Sequence, residues 1–290
     1  MPTGSWTAFS FAGIGTDWEI STPLPLPAPL QSQLLATVEK YDAAWSRFRA
    51  DSLVTKLAGS AGRVEFPPEA ARLGALYQQL YRITGGAMTP LIGGSLERLG
   101  YDAGYSLVPS GPALPAPAWE GLLEWAGTSI GSSRPLVLDI GAAGKGLLVD
   151  LLAEVLRAQG LTEFLIDASG DMLHSGTEPL RIGLEHPYQP TQAIGVVELF
   201  NSALCASAAN RRAWGDGLHH VLDGATGKPV STVVATWSTA ATAMEADALA
   251  TALFLTDPAT LEQDFDFDWL TVYSAGNAAF SAHFEGTLFS

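Results

Sequence analysis

Residues 136–160 read LVLDIGAAGKGLLVDLLAEVLRAQG, a glycine-rich turn between a short apolar run and a long amphipathic segment. The apolar run predicts a strand that ends at Asp139, and the spacing of apolar residues predicts a helix over residues 146–159. Such a turn can hold an anion, because its main-chain N–H groups and the helix N-terminus can approach a phosphate closely. The carboxylate of Asp139, the carbonyls of Gly141 and Ala142 and the ammonium of Lys145 add groups that suit an anion and a metal ion.

The turn matches neither of two common phosphate-binding motifs. A P-loop requires a glycine five residues before Gly144, where this chain has Asp139, and Ser or Thr after Lys145, where it has Gly146. The GxGxxG spacing of dinucleotide-binding folds is absent as well. The turn therefore indicates an anion site without identifying the anion.

Helical and strand patterns alternate irregularly along the chain. Apolar periodicity predicts helices over residues 31–48, 69–83, 146–159 and 244–255, and residues 84–94 are predicted to be a loop. Strands are predicted over residues 6–20 with a turn at AGIGT, over 162–173 ending in a Gly-Asp turn, and in LRIGLEHP, AIGVVELFNSALCAS, WLTVYSA and AAFSAHF, the last two as a closing hairpin. This order indicates an α+β fold, with residues 1–290 forming a single domain of two intimately packed lobes.

Charge and composition limit the partners of the chain. A formal net charge of −15 argues against nonspecific nucleic-acid binding. No segment has the ~18 consecutive apolar residues of a membrane helix, and the N-terminus lacks a basic n-region, an apolar h-region and a cysteine that could carry a lipid. We therefore expect no stable membrane insertion and a cytoplasmic location. The single cysteine, Cys205, excludes an internal disulfide and a four-cysteine zinc site, and we expect it to be buried as a small apolar residue.

The segment EADALATAL places two oxygen-bearing side chains on one face of a predicted helix. Asp247 and Thr251 are four residues apart, so they share that face. Mg²⁺ prefers oxygen ligands and often takes one or two carboxylates together with a substrate phosphate. The spacing leaves two interpretations open: a metal site, or a helix cap in which Asp247 bonds the first N–H groups of its helix.

Two further segments carry candidate acid–base groups. In GLHHVLDGATGKP, the adjacent residues His219 and His220 would point to opposite faces of a strand, so at most one of them enters a given cleft. A histidine there can act as a general base or make a structural hydrogen bond. In IDASGDML, Asp167 and Asp171 flank a Ser-Gly turn, and either one can face a cleft or cap the turn.

Taken in order, seven segments of the chain resemble the motif pattern of the ApbE family. They are GIGT (13–16), SRFRADS (46–52), GGAMTP (85–90), DIGAAGKG (139–146), SGD (169–171), HHVLDGATG (219–227) and DALATA (247–252). The fourth, sixth and seventh segments, in that order, form a specific combination. The match covers nearly the whole chain.

The resemblance implies an ApbE-like architecture, related to the T-fold, and the activity of an FAD:protein FMN transferase. Enzymes of this kind bind FAD and Mg²⁺, cleave the pyrophosphate of FAD, transfer FMN to a threonine hydroxyl of another protein and release AMP. The implied cofactor is Mg²⁺ or Mn²⁺, and FAD is the substrate. The implied partner is an acceptor protein with an Asp-Gly-x-Thr-type motif.

Position by position, the resemblance also implies roles for individual residues. Metal ligands are implied at Asp247, Thr251 and the carbonyl of Ala142. FAD-binding positions are implied at Ile14, Thr16, Phe48, Ala87, Met88, Thr89, Asp139, Lys145, Asp171 and His220. The catalytic residues implied are Asp247 and His220, the latter near the reacting phosphate; His220 or a carboxylate would take the proton of the incoming threonine.

Several positions depart from the family pattern. Thr89 stands where the family usually has Asp, which removes a carboxylate from the loop around the adenine half, while Ser169 and Gly144 replace a glycine and an alanine, and Gly224 replaces a proline. Two alternatives follow: an FAD pyrophosphatase, which releases FMN and AMP to water, and a non-catalytic FAD-binding homologue. The DGAT tetrapeptide at 223–226 resembles the acceptor motif itself, which makes self-flavinylation at Thr226 a separate hypothesis.

Overall fold

The computed structural model describes residues 6–289 and has the predicted α+β architecture. Within this range the helices are α1 (Ala28–Trp45), α2 (Leu53–Gly59), α3 (Ala70–Ile83), α4 (Gly93–Arg98), α5 (Gly144–Ala158), α6 (Ala243–Ala252) and α7 (Pro258–Leu261), with a 3₁₀ turn over Pro90–Ile92. Each of these helices is too short or too polar to cross a lipid bilayer.

Antiparallel strand pairing organises the remainder of residues 6–289. The strands are β1 (Thr7–Gly13), β2 (Thr16–Thr22), β3 (Gly62–Glu65), β4 (Leu123–Ala126), β5 (Ser129–Ser132), β6 (Phe164–Asp167), β7 (Met172–Ser175), β8 (Leu180–His186), β9 (Gln189–Leu199), β10 (Ala203–Ala208), β11 (Ala213–Trp214), β12 (Leu218–His219), β13 (Leu222–Asp223), β14 (Lys228–Pro229), β15 (Val233–Ala240), β16 (Asp268–Tyr273), β17 (Ala278–Phe280) and β18 (Gly286–Leu288). The main sheet has the order β1-β2-β6-β7-β10-β15-β16-β17, and β18-β9-β8 and β3-β5-β4 form smaller sheets.

The main sheet is covered on both faces, and β10 shows why. Its successive side chains alternate between faces. Ala203 and Cys205 belong to the large core under α1, α5 and α6, whereas Leu204 packs with Trp237 and with the β8–β9 hairpin. Cys205 is fully buried, as the sequence predicted.

Helix boundaries differ from the predicted ones where proline or glycine stands in a first turn. The helix predicted over 31–48 runs instead over Ala28–Trp45, because proline is tolerated in the first turn, where its missing N–H has no partner to lose. Phe48 therefore lies beyond the helix, in the turn that follows it. The helix predicted from residue 146 begins at Gly144, which brings Lys145 into its first turn.

Two segments predicted as loop or strand contain more structure than expected. The loop predicted over 84–94 gives way to a 3₁₀ turn at Pro90, because the hydroxyl of Thr89 accepts a hydrogen bond from the N–H of Leu91 at 3.2 Å. The segment 162–173 forms not one strand but the β6–β7 hairpin, with the predicted Gly-Asp turn at its tip. The closing hairpin β16–β17 is confirmed, and α6 ends three residues before the predicted residue 255.

Candidate active site

A cavity of about 990 Å³ opens where the start of α5, the middle of α6 and the β1–β2 turn meet. Its volume is at the upper end of the roughly 300–1,000 Å³ range typical of ligand and cofactor sites. The cavity is lined by every site residue that the sequence implied except one: Ile14, Thr16, Phe48, Ala87, Met88, Thr89, Asp139, Ala142, Lys145, His220, Asp247 and Thr251. The exception is Asp171.

The β1–β2 turn brings a strained backbone to the cavity. Ile14 has a φ of +44° and Gly15 a φ of +78°, so a two-residue turn joins the paired residues Gly13 and Thr16. A positive φ is rare for a β-branched residue. The hydroxyl of Thr16 donates to the Ser169 hydroxyl at 2.7 Å, which ties this turn to the β6–β7 turn.

The glycine-rich turn is shaped by Asp139. One carboxylate oxygen of Asp139 accepts the N–H of Gly141 at 2.7 Å, and the other accepts Nε of Arg47 at 2.6 Å. Although burial opposes ionisation, the Arg47 charge lowers the pKa of Asp139 below its ordinary value. Asp139 is therefore an anion that holds the turn preceding Ala142.

Lys145 points from the first turn of α5 toward the β6–β7 turn. Its Nζ lies 3.0 Å from Asp171 Oδ2 and donates to the carbonyl of Ala168 at 3.1 Å. Burial alone would lower the pKa of Lys145, but the carboxylates of Asp171 and Asp247 outweigh it and raise the pKa. Lys145 thus remains a cation at the cavity wall.

The two aspartates that flank the Ser-Gly turn have different positions. Asp167 caps the turn by accepting the N–H of Gly170 at 2.9 Å. Asp171 is fully buried behind Lys145 and does not line the cavity. Asp171 can therefore affect a ligand through Lys145, whereas direct contact would require a rearrangement.

Asp247 is not a helix cap, so the structural alternative for this residue is wrong. Thr242 caps α6, and the carboxylate of Asp150 accepts the N–H groups of Ala243 and Met244, both at 2.9 Å. Asp247 lies one turn further along and accepts the N–H of Gly146 from α5 at 2.9 Å. Its carboxylate is thus held across the α5–α6 contact, at the cavity.

The surroundings of Asp247 disfavour the ionised form of its carboxyl group. It is 5% exposed, and burial together with the negative charge of Asp171 raises its pKa to about 8. A buried carboxylate in this state is stabilised by any added cation. The Thr251 hydroxyl, the second implied ligand, lies 3.3 Å from the Ser207 hydroxyl, and Ala142, whose carbonyl is the third, lines the same cavity.

These oxygen donors fit the preference of Mg²⁺ or Mn²⁺. A site of this kind contains a single carboxylate and needs further oxygen from substrate or water. Over residues 6–289 there is no cluster of three or more His, Cys, Asp or Glu side chains that could hold a metal without such help.

The two adjacent histidines separate as predicted. His219 Nε2 lies 2.8 Å from the carbonyl oxygen of Val230, in a structural contact, whereas His220 lines the cavity. Burial, followed by the positive charge of Arg212, lowers the pKa of His220 to about 3. The imidazole is therefore neutral near pH 7, and its buried Nδ1 has no hydrogen-bond partner within the part of the chain that the structure describes.

Four aromatic rings form one wall of the cavity. Phe48 stacks on Tyr105 with centroids 4.9 Å apart and an interplanar angle of 8°, and Tyr101 stacks on Trp214 at 5.5 Å. The guanidinium of Arg47 lies 4.2 Å from the Phe48 ring centre. Of this wall, the sequence identified only Phe48.

The loop around Ala87 packs against the turn after the histidines. Gly224 donates its N–H to the carbonyl of Ala87 at 2.8 Å, and a Cβ on Gly224 would lie 2.7 Å from the Thr89 side chain. Two departures from the family pattern, Thr89 and Gly224, are therefore in direct contact. Proline at 224 could not donate this hydrogen bond.

Sequence reasoning also missed Arg212. Its exposed side chain lines the cavity and, over residues 6–289, makes no ion pair or side-chain hydrogen bond. Its charge is nevertheless felt by His220, Asp139 and Asp247, whose pKa values it lowers. No motif in the sequence distinguishes Arg212 from Arg211, which pairs with Glu185 at 2.9 Å.

A cofactor-sized cavity that joins an anion-binding turn, a buried carboxylate and a neutral histidine is characteristic of an enzyme rather than of a structural protein. The ApbE family model matches residues 14–264, and the chain therefore belongs to the ApbE family.

Relatives and solved structures agree with this assignment. The chain is 26% identical to the FAD:protein FMN transferase of Escherichia coli K12, over 90% of this chain and 81% of that protein, and 25% identical to the one from Klebsiella pneumoniae, over 94% and 85%. Its fold matches the flavin transferase ApbE from Vibrio cholerae with a TM-score of 0.80 at 20% identity, over 96% and 97% of the two chains. It matches the ApbE protein from Thermotoga maritima with a TM-score of 0.84 at 23% identity, over 97% and 99%.

Proposed function

We propose that this chain transfers FMN from FAD to a threonine hydroxyl of an acceptor protein and releases AMP. One observation carries the proposal: Asp247 and Thr251 of α6 meet the Ala142–Lys145 turn of α5 at a single cofactor-sized cavity. Oxygen donors for a metal ion and an anion-binding turn are what cleavage of a pyrophosphate requires. The names of the relatives supply the substrate.

The proposed reaction is a phosphoryl transfer. The threonine oxygen forms a bond to the phosphorus of the FMN half, and the bond from that phosphorus to the bridging oxygen breaks. AMP leaves with the bridging oxygen, and the threonine proton passes to a base. We assign the base to His220, because its imidazole lines the cavity and its Nδ1 has no hydrogen-bond partner among residues 6–289.

The metal ligands are proposed to be Asp247, Thr251 and the carbonyl of Ala142. When bound there, Mg²⁺ or Mn²⁺ would neutralise charge on the pyrophosphate as it is cleaved. The Gly146 N–H orients the Asp247 carboxylate, and Lys145 provides a fixed positive charge on the same side of the cavity.

The remaining implied positions divide between the two ends of the ligand. We propose that Ile14, Thr16 and Phe48 contact the flavin nucleotide, and that Ala87, Met88 and Thr89 surround the adenine half. Asp139 shapes the glycine turn, and Asp171 acts through Lys145. We further propose that residues 1–290 form one ApbE-like domain and that the protein is cytoplasmic.

The test is to incubate the purified protein with FAD and Mg²⁺, with and without a peptide that contains an Asp-Gly-Ala-Thr-Ser segment, and to follow AMP and peptide mass. We expect FMN to be added to the peptide threonine with one AMP released per adduct. Asp247→Asn, or chelation of the metal, should abolish both.

Other outcomes identify the alternatives. Release of FMN and AMP without an adduct would make the protein an FAD pyrophosphatase. Tight FAD binding without turnover would make it a non-catalytic FAD-binding homologue. Self-flavinylation at Thr226 is tested by measuring the mass of the protein itself after the same incubation. Thr226 is exposed, and its hydroxyl accepts the N–H of Lys228 at 3.2 Å.

A further inference from the structure

Arg47 is a buried cation whose hydrogen bonds are mostly unmade. It is 7% exposed, and of its donor nitrogens only Nε is used, by Asp139 at 2.6 Å. Nη1 and Nη2 are both buried, and neither has a hydrogen-bond partner among residues 6–289. The Glu97 carboxylate is 3.9 Å from Nη1, outside hydrogen-bonding distance.

Buried N–H donors without acceptors destabilise a folded protein unless a bound group supplies the acceptors. A guanidinium carries five N–H donors, and buried donors that lack acceptors lose their hydration without compensation. The rings of Phe48 and Tyr101, whose centres are 4.2 and 4.9 Å from Cζ, stabilise the charge but provide no oxygen. The missing groups are therefore acceptors in the plane of the guanidinium.

The position of Arg47 indicates where those acceptors come from. Arg47 lines the same cavity as Lys145, His220 and Asp247. Phe48 and Tyr101, the rings that contact its guanidinium, line this cavity as well. A ligand in this cavity that carries oxygen acceptors would supply the groups that Arg47 lacks.

We propose that Arg47 is a specificity-determining residue that donates hydrogen bonds from Nη1 and Nη2 to oxygen acceptors of the bound flavin dinucleotide. The inference rests on the proposed function, since it takes the ligand to be FAD. Oxygen acceptors occur in both halves of FAD: the ring carbonyls and ribityl hydroxyls of the riboflavin half, and the pyrophosphate and ribose oxygens of the ADP half. The adenine ring carries no oxygen.

Within the Ser-x-Phe/Tyr-Arg pattern of SRFRADS, Arg47 occupies the unspecified position, and Arg49 is the arginine of the pattern. Arg49 differs physically as well, because it is tied to Glu39, Asp42 and Asp51 at 2.8–3.0 Å. The inference about Arg47 therefore rests on its contacts in this structure and not on the motif.

The experiment is calorimetric titration of the full chain with FAD, riboflavin and ADP, without added metal, combined with thermal unfolding. Arg47→Lys is the first variant, because an ammonium can keep the ion pair with Asp139 but cannot supply two donor nitrogens beyond it. Arg47→Met removes the charge, and Arg63→Gln is the control, since Arg63 pairs with Glu124 away from the cavity.

We expect both Arg47 variants to bind FAD at least about tenfold more weakly, the size of one lost charged hydrogen bond, and Arg63→Gln to bind as the native chain does. Weaker riboflavin binding with unchanged ADP binding assigns the contact to the riboflavin half, through its ring carbonyls or ribityl hydroxyls. Weaker ADP binding with unchanged riboflavin binding assigns it to the ADP half, through its phosphate or ribose oxygens.

If folded Arg47→Lys bound FAD with native affinity, the inference would be overturned. Water, and not FAD, would then be the acceptor for Nη1 and Nη2 of Arg47. If Arg47→Met fails to fold, Arg47→Lys still decides. Failure of the proposed function has a different signature: the native chain would bind FAD in an Arg47-dependent way yet form no adduct and release no AMP.

Discussion

The main-chain N–H of Gly146 donates a hydrogen bond to Oδ2 of Asp247, a distance of 2.9 Å between residues 101 positions apart in the sequence. The bond crosses the contact between α5 and α6 and aims the only carboxylate of the proposed metal site. It also explains the glycine that follows Lys145. A Cβ at 146 would lie 2.8 Å from the Asp247 Cβ and would overlap the carbonyl oxygen of Ala243.

Gly146→Ala should therefore damage both stability and activity. Overpacking of a tight helix contact typically costs about 1–3 kcal/mol, and here the contacted atom is main chain, which cannot rotate away. Urea unfolding measures the stability, and the AMP assay measures the site. Gly94→Ala is the matched control, because nothing lies within 4 Å of a Cβ there. Native behaviour of Gly146→Ala would contradict this account of the α5–α6 contact.

The contribution of His220 to stability should fall as the pH is lowered below 6.5, because this imidazole is buried in its neutral form. Its folded-state pKa is about 3 against an ordinary value of 6.5, so between these values the unfolded chain binds more protons. The slope for this one group is at most about 1.4 kcal/mol per pH unit, and the stability is regained on raising the pH through 6.5.

Urea unfolding of native protein and of His220→Gln between pH 4.5 and about 7.5 isolates this contribution. The variant should show a shallower loss toward acid. The exposed residue His283 provides the control substitution His283→Gln, which should leave the slope as it is in the native chain. Equal slopes for all three proteins would remove the case for a buried neutral imidazole.

Arg212→Gln should weaken FAD binding and reduce its dependence on salt. Arg212 is an exposed cation at the cavity, and its charge reaches Asp139, His220 and Asp247. A charged hydrogen bond to phosphate is worth about 1.5–3 kcal/mol, or roughly tenfold to a hundredfold in affinity. Fluorescence titration with FAD at low and high salt measures both effects. Arg181, on β8 outside the cavity, provides the control. If Arg181→Gln lowered FAD affinity as much as Arg212→Gln, the effect would come from the net charge of the protein and not from a contact of Arg212.

Ser169 should be more sensitive to alanine than to glycine. Its φ of +54° is unfavourable for a residue with a Cβ, and two hydrogen bonds hold it there, from the Thr16 hydroxyl at 2.7 Å and to the carbonyl of Asp17 at 2.9 Å. Ser169→Ala keeps the strain and loses both bonds, at about 0.5–1.5 kcal/mol each. Ser169→Gly also loses both bonds, but it relieves backbone strain of about 1–2 kcal/mol, because glycine adopts a positive φ without that cost.

Urea unfolding should therefore rank Ser169→Gly near the native chain and Ser169→Ala below it. Both variants should loosen the Ile14–Thr16 turn and weaken FAD binding, if that turn contacts the ligand. The reverse order of the two stabilities would mean that the strain at Ser169 is smaller than its φ indicates.

Local sequence patterns determined much of this protein. Apolar spacing predicted α1, α3, α5 and α6 to within a few residues, and the order of motifs predicted the family. All the residues that the motifs implied, except Asp171, line the cavity. The helices could be predicted because apolar periodicity is set by neighbours in the chain, whereas the site residues followed from the resemblance to the family. Boundaries slipped where proline or glycine could enter a first turn.

Only the tertiary structure decided how the site works. Asp150, and not Asp247, bonds the first N–H groups of α6, which frees Asp247 for the cavity. In the sequence, Arg47 and Arg212 resemble any other arginine. In the structure, Arg47 is buried among aromatic rings, whereas Arg212 is exposed at the cavity. Burial, charge and unmade hydrogen bonds depend on residues that are distant in sequence, so no local pattern can predict them.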